Sequence, residues 1–185
     1  MLYVLGGAMR SGKSLIARKF VSEKQIPYLP ADVLVTGAQE SVPILGVQQG
    51  DEFINKAEKL WPILKPVLLH IARVEPRYLV EGDPILPKHI AEIQKENQDV
   101  RACFIGYNKI SAEEELKRLR QFSNVDNLDW TKRISDEKML EYITMAIEFS
   151  KYLEEECKKY NIAYFDNSLD FMKTTDDAFK YLTNQ

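Results

Sequence analysis

Residues 7–14 read Gly7-Ala8-Met9-Arg10-Ser11-Gly12-Lys13-Ser14, and their spacing decides the fold. They satisfy the phosphate-loop (Walker A) pattern G-x-x-x-x-G-K-[ST], which requires a strand before it and a helix after it. The flanks supply both. Residues 2–5 are a short apolar run, and from Lys13 a helical pattern carried by Leu15, Ile16, Lys19 and Phe20 continues to Glu23. Gly7 and Gly12 free the backbone so that successive N–H groups can surround a phosphate. A helix starting at Lys13 points the positive end of its dipole at the same anion. Lys13 then reaches the β- and γ-phosphates of a nucleotide, and the Ser14 hydroxyl serves Mg²⁺. The expected cofactors are ATP and Mg²⁺, held by residues 7–15: Gly7, Ala8, Met9, Arg10, Ser11, Gly12, Lys13, Ser14 and Leu15.

Outward from the loop, apolar clusters and turn signals alternate to the end of the chain. Residues 26–29, 78–80, 100–106 and 162–165 read as further strands, and helical periods lie at 53–71, 87–97, 111–121, 135–160 and 171–182. Ser111 and Glu114 make a capping box, and Ser135 stands where it can cap the long helix. Pro62 and Pro66 each remove a backbone donor, so a break or kink is expected near Trp61. Residues 36–50 show no period, only Gly37, Pro43, Gly46 and Gly50, and read as a long loop. Strands separated by helices along the whole length give an α/β chain, with a parallel sheet and helices on both faces.

Composition narrows the class. The chain has 185 residues, 45% of them hydrophobic and 29% charged, which suits one globular domain. A formal net charge of -3 provides no global basic field, so nucleic acid is not an expected partner. No apolar run is long enough to span a bilayer, and nothing at the N-terminus reads as a signal peptide. Two cysteines, Cys103 and Cys157, cannot build a disulfide framework; reduced thiols and a cytoplasmic location are expected. His70, His89 and the cysteines show no zinc spacing. Trp61 and Trp130 read as packing residues.

The chain resembles the P-loop small-molecule kinases, the group of adenylate kinase, shikimate kinase and chloramphenicol phosphotransferase. Four features carry the resemblance: the loop at 7–14, Asp32 after the second strand, Glu81-Gly82-Asp83 after the third, and a basic helix and loop after the fourth. By order of elements it runs over nearly the whole chain. It implies a three-layer α/β/α fold with a five-stranded parallel sheet in order 2-3-1-4-5, and a lid. It also implies transfer of the γ-phosphoryl of ATP to a small-molecule acceptor. Residues 1–185 then form a single P-loop kinase domain, with an acceptor region at 36–73 and the lid at 121–135. The oligomeric state stays open. Other P-loop branches fit less well. Asn108-Lys109-Ile110-Ser111 lacks the Asp of a GTPase N-K-x-D motif, and Tyr78-Leu79-Val80-Glu81-Gly82 lacks the second adjacent acid of ring ATPases.

The resemblance gives Asp32 the role of aligning and deprotonating the acceptor, because the carboxyl ends of neighbouring parallel strands converge on one crevice. The competing reading makes Asp32 a cap of a helix starting near Val33. Glu81 is the candidate for the metal and Asp83 for the acceptor, against a plain cap or solvated turn. Arg10 meets phosphate or acceptor, or lies on the surface. Arg118 and Arg120 are the lid candidates; against them, Glu113–Lys117 and Glu114–Arg118 are ordinary i,i+4 pairs. Residues 166–168 follow the fifth strand, where the resembled group cradles adenine through backbone groups. Two rival functions remain. A nucleoside monophosphate kinase wants arginines in the acceptor region, yet between Asp32 and Leu69 the basic residues are Lys56, Lys59 and Lys65. The other rival is a nucleotide-binding switch protein without acceptor chemistry.

Overall fold

A computed structural model describes residues 1–122 and 130–184. In chain order the elements are β1 (Leu2–Gly7), α1 (Lys13–Lys24), β2 (Tyr28–Pro30), α2 (Ala31–Ser41), α3 (Phe53–Val74), β3 (Tyr78–Gly82) and α4 (Pro87–Glu96). There follow β4 (Val100–Gly106), α5 (Ala112–Phe122), α6 (Asp136–Tyr160), β5 (Ala163–Asp166) and α7 (Phe171–Thr183). The five strands form one parallel sheet in the order β2-β3-β1-β4-β5, as expected.

Three layers follow from the alternation of side chains along β1, which is buried throughout. Leu2 and Val4 pack with Val80, Ala102 and Phe104 against apolar residues of α2, α3, α4, α5 and α6. Tyr3 and Leu5 pack with Cys103 and Ile105 against Ile16 and Phe20 of α1 and Phe179 and Leu182 of α7. Both cysteines are free and buried, and burial pushes the Cys157 thiol up to about 12. No helix among the described residues is long and apolar enough to cross a membrane.

Two local expectations are corrected. First, α3 runs unbroken through Pro62 and Pro66. Both prolines stand on the exposed face of the helix, so the carbonyls of Glu58 and Pro62 that lose their partners are on its solvent side. A proline inside a helix costs about 3 kcal/mol. Leu60, Leu64 and Leu68 on the opposite face are fully buried, each worth about 1.5–3 kcal/mol, and packing wins. Second, the stretch that reads as a loop from Thr36 is helical to Ser41, because α2 buries Ala31, Val35 and Ala38. Gly37 lies on its exposed side and hides the period. A short 3-10 turn, Pro43–Leu45, follows.

The capping box stands: Glu114 N donates to Ser111 Oγ at 3.2 Å, and Ser111 N to Glu114 Oε2 at 3.1 Å. Ser135 caps α6 through the Lys138 amide at 3.3 Å. Of the expected lid at 121–135, residues 123–129 lie outside the described residues; Trp130–Arg133 forms a 3-10 turn.

Candidate active site

The loop between β1 and α1 is shaped by its backbone. Gly12 caps α1 with φ 97°, and a Cβ there would stand 2.7 Å from Thr175 Cγ2, so glycine is required on two counts. Arg10 also adopts a left-handed conformation, φ 61°. Successive left-handed and helical residues curl the chain into a concave nest of amides. In the first turn of α1, Leu15 N donates to Gly12 O at 3.1 Å, while Lys13 and Ser14 have no carbonyl one turn back within the helix for their amides. Lys13, almost buried, folds its ammonium back over the loop and donates to Ala8 O at 2.7 Å and Gly7 O at 3.1 Å.

The outer carbonyls of the loop are tied down from behind. Tyr107 Oη donates to Met9 O at 2.8 Å. The Asn167 side chain, fully buried, donates through Nδ2 to Ser11 O at 2.7 Å. Asn167 in turn accepts from Arg118, at 2.8 Å on its backbone carbonyl and 3.3 Å on Oδ1. Arg118 lies over the rings of Phe171 and Tyr107 and pairs with the buried Glu115 at 2.5 Å. Burial raises the Glu115 carboxyl to about 7 against the pull of Arg118.

Strand register brings the acids to this loop. Glu81 of β3 stands level with Leu5 of β1 on one side and Pro30 of β2 on the other. It therefore lies between the phosphate loop and the start of α2. Glu81 Oε1 accepts from Ser14 Oγ at 3.4 Å, and burial raises its carboxyl above the ordinary range. Asp83, just past the strand, meets Lys56 Nζ of α3 at 3.4 Å. Asp32 is in the first turn of α2, whose cap position is Pro30, so the capping reading fails. Its carboxyl reaches that of Asp83 instead. Burial, and then the neighbouring Asp83, raise Asp32 to about 7, while Lys13 and Lys56 oppose the shift.

The loop, Glu115, Arg118 and the three acids open on one cleft of about 830 Å³, with Tyr107 and Asn167 buried behind it. Of the residues read from the sequence, Met9 to Leu15, Asp32, Glu81, Asp83 and Arg118 line it. Gly7 and Ala8 lie buried beneath the loop. Arg120 stands elsewhere: it donates to Asp136 at 2.7 Å and to the carbonyls of Thr131 and Ile134, joining α5 to the start of α6. Two arginines at i and i+2 of a helix point in nearly opposite directions, which is why the cleft receives Arg118 and not its neighbour. The expected surface pairing of Arg118 with Glu114 is replaced by Glu115, since Glu114 is engaged in the capping box.

Sequence reading missed Asn167, Lys56 and Glu115 as site residues. A polar residue at a strand-to-loop junction carries no motif; only the position of Asn167 at the carboxyl end of β5 marked it. His89 is outside the cleft. It stacks on Trp61 with ring centroids 4.1 Å apart, and burial lowers it to about 4. Among the described residues no group of three or more His, Cys, Asp or Glu could hold a metal ion by itself. A hydroxyl and a carboxylate oxygen, Ser14 and Glu81, are nonetheless the kind of sparse oxygen set that Mg²⁺ takes when phosphates and water complete its shell.

No family model and no curated protein matches the sequence. Solved structures do match. A gluconokinase from Sinorhizobium meliloti aligns with TM-score 0.61 at 13% identity, covering 97% of this chain and 90% of that one. A shikimate kinase from Bacteroides thetaiotaomicron aligns with TM-score 0.56 at 15% identity, over 97% and 94% of the two chains. The chain shares its fold, with the sheet order β2-β3-β1-β4-β5, with these two kinases. An uncharacterized protein from Eubacterium ventriosum aligns over 100% of this chain and 99% of its own, with TM-score 0.54 at 16% identity.

Proposed function

We propose that the protein is an ATP- and Mg²⁺-dependent phosphotransferase acting on a small-molecule acceptor. The observation that carries this reading is the single cleft that joins the Lys13–Ser14 loop to the Asp32–Asp83 pair. Lys13 holds the β- and γ-phosphates, and the amides at the start of α1 neutralise the same charge. Ser14 and Glu81 would hold Mg²⁺, which when bound with the nucleotide neutralises charge on the phosphates. Asp32 accepts the proton of the acceptor hydroxyl as its oxygen bonds to the γ-phosphorus. The bond from that phosphorus to the bridging oxygen breaks, and ADP leaves. A carboxyl raised to about 7 is half ionised at neutral pH, a useful poise for an aligning base. Arg118 serves the nucleotide side of the cleft.

A nucleoside monophosphate acceptor is disfavoured, because the lysines nearest the acceptor side already face carboxylates: Lys56 meets Asp83, and Lys59 meets Asp51. The test is ADP release with ATP and Mg²⁺ across sugars, hydroxy acids, nucleosides and antibiotics. At least one acceptor should raise the rate above background. Asp32→Asn should then lower kcat about 100-fold or more and leave ATP affinity within about twofold. Unchanged turnover removes Asp32 from its role, and a silent panel favours a nucleotide-binding switch.

A further inference from the structure

The charge of the acceptor wall says what kind of molecule it receives. Opposite the phosphate loop, the cleft is lined by Asp32, Asp51 and Asp83, with Lys56 as the basic group and Phe53 and Tyr142 as the aromatic ones. Lys56 is nearly buried, lies 3.4 Å from Asp83 and sits over the Phe53 ring, so its charge is spent within the wall. Lys59 is bound at 3.0 and 3.1 Å to the two oxygens of Asp51. The arginines that line the cleft, Arg10, Arg18 and Arg118, come from the loop and helices on the nucleotide side. No arginine occurs in the sequence from Lys19 to Ala72.

A carboxylate or phosphate on the acceptor would therefore meet two lysines already neutralised by Asp83 and Asp51, with the Asp32 carboxyl in excess beside them. Desolvating an anion there without a free cation is costly. Hydrogen-bond donors fare differently. Carboxylates accept from hydroxyl or ammonium groups. Phe53, stacked on Phe149 with centroids 4.8 Å apart and carrying Lys56 over its ring, adds an apolar edge to the cleft. Resting on the phosphotransferase reading above, we propose that the acceptor is a non-anionic molecule rich in hydrogen-bond donors, neutral and polyhydroxylated or aminated.

The two sources of donors, hydroxyl and ammonium, are separated by matched triples: hexoses, the corresponding 2-amino-2-deoxyhexoses and the corresponding hexonates, each assayed for ADP release with ATP and Mg²⁺. The neutral or aminated member should exceed its hexonate in kcat/KM by about tenfold or more. Asp51→Asn, which removes a negative charge from the wall, should narrow that gap and reduce an aminated acceptor more than a neutral one. A hexonate preferred over both partners overturns the proposed class while leaving the phosphotransferase reading intact. No member raising ADP release above background, with ATP binding intact by calorimetry, overturns the phosphotransferase reading itself and this inference with it.

Discussion

The two walls of the cleft are built on opposite terms. The nucleotide wall is the more heavily braced: Tyr107 and Asn167 hold the loop carbonyls, and Arg118 is locked by Asn167, Glu115 and two aromatic rings, with Ser11 Oγ left unpartnered and Glu115 raised to about 7 by burial. On the acceptor wall Asp32 faces Asp83, and Lys13 and Lys56 only partly offset the shift that raises Asp32 to about 7. On the proposed function, the first wall would hold a shape for a ligand of constant charge, and the second would take up a proton at each turnover.

Substitutions on each wall should therefore act with opposite sign. On the acceptor wall, Asp32 keeps its proton in the folded state up to about pH 7 but loses it near 3.8 when unfolded. Between these values the native state holds more protons, so stability falls as pH rises through the window and stays low above it. Asp32→Asn removes the titration. It should raise stability at pH 8 and change little at pH 4, read by chemical denaturation at both pH values. Equal stability of the two proteins at pH 8 would erase the contrast between the walls.

On the nucleotide wall, Asn167→Ala strips Ser11 O and Arg118 of a shared buried partner. A loss of about 1–3 kcal/mol is expected at every pH, with ATP affinity reduced about tenfold and little change in acceptor KM. Equal changes in both substrates would show a general loosening and not a loop-holding role. Arg120→Gln touches neither wall. It should cost about 1 kcal/mol by freeing the carbonyls of Thr131 and Ile134, and leave kcat within about twofold. A larger fall in kcat would return Arg120 to the reaction.

The fold was legible because strand, glycine pattern and helix follow one another at 2–24, and because strands and helices alternate thereafter with clear periods. The loop residues were legible for the same reason: G-x-x-x-x-G-K-S is a local pattern with a local cause. The place of Glu81 on the cleft was legible since β3 had to end near it. Where reading failed, tertiary packing had overruled a local signal. The buried leucines of α3 outweighed two prolines, and the buried stripe of α2 outweighed Gly37.

By itself, then, the sequence determined the phosphate loop, the α/β class and the order of elements, since each depends on neighbours along the chain. The tertiary structure alone decided that Asp32 meets Asp83, that Lys56 is spent on that pair, and that Asn167 stands behind Ser11. It also separated Arg118 from Arg120. These are contacts between residues 27 to 156 positions apart, or directions around one helix, and their energies depend on burial and charge that no linear spacing records.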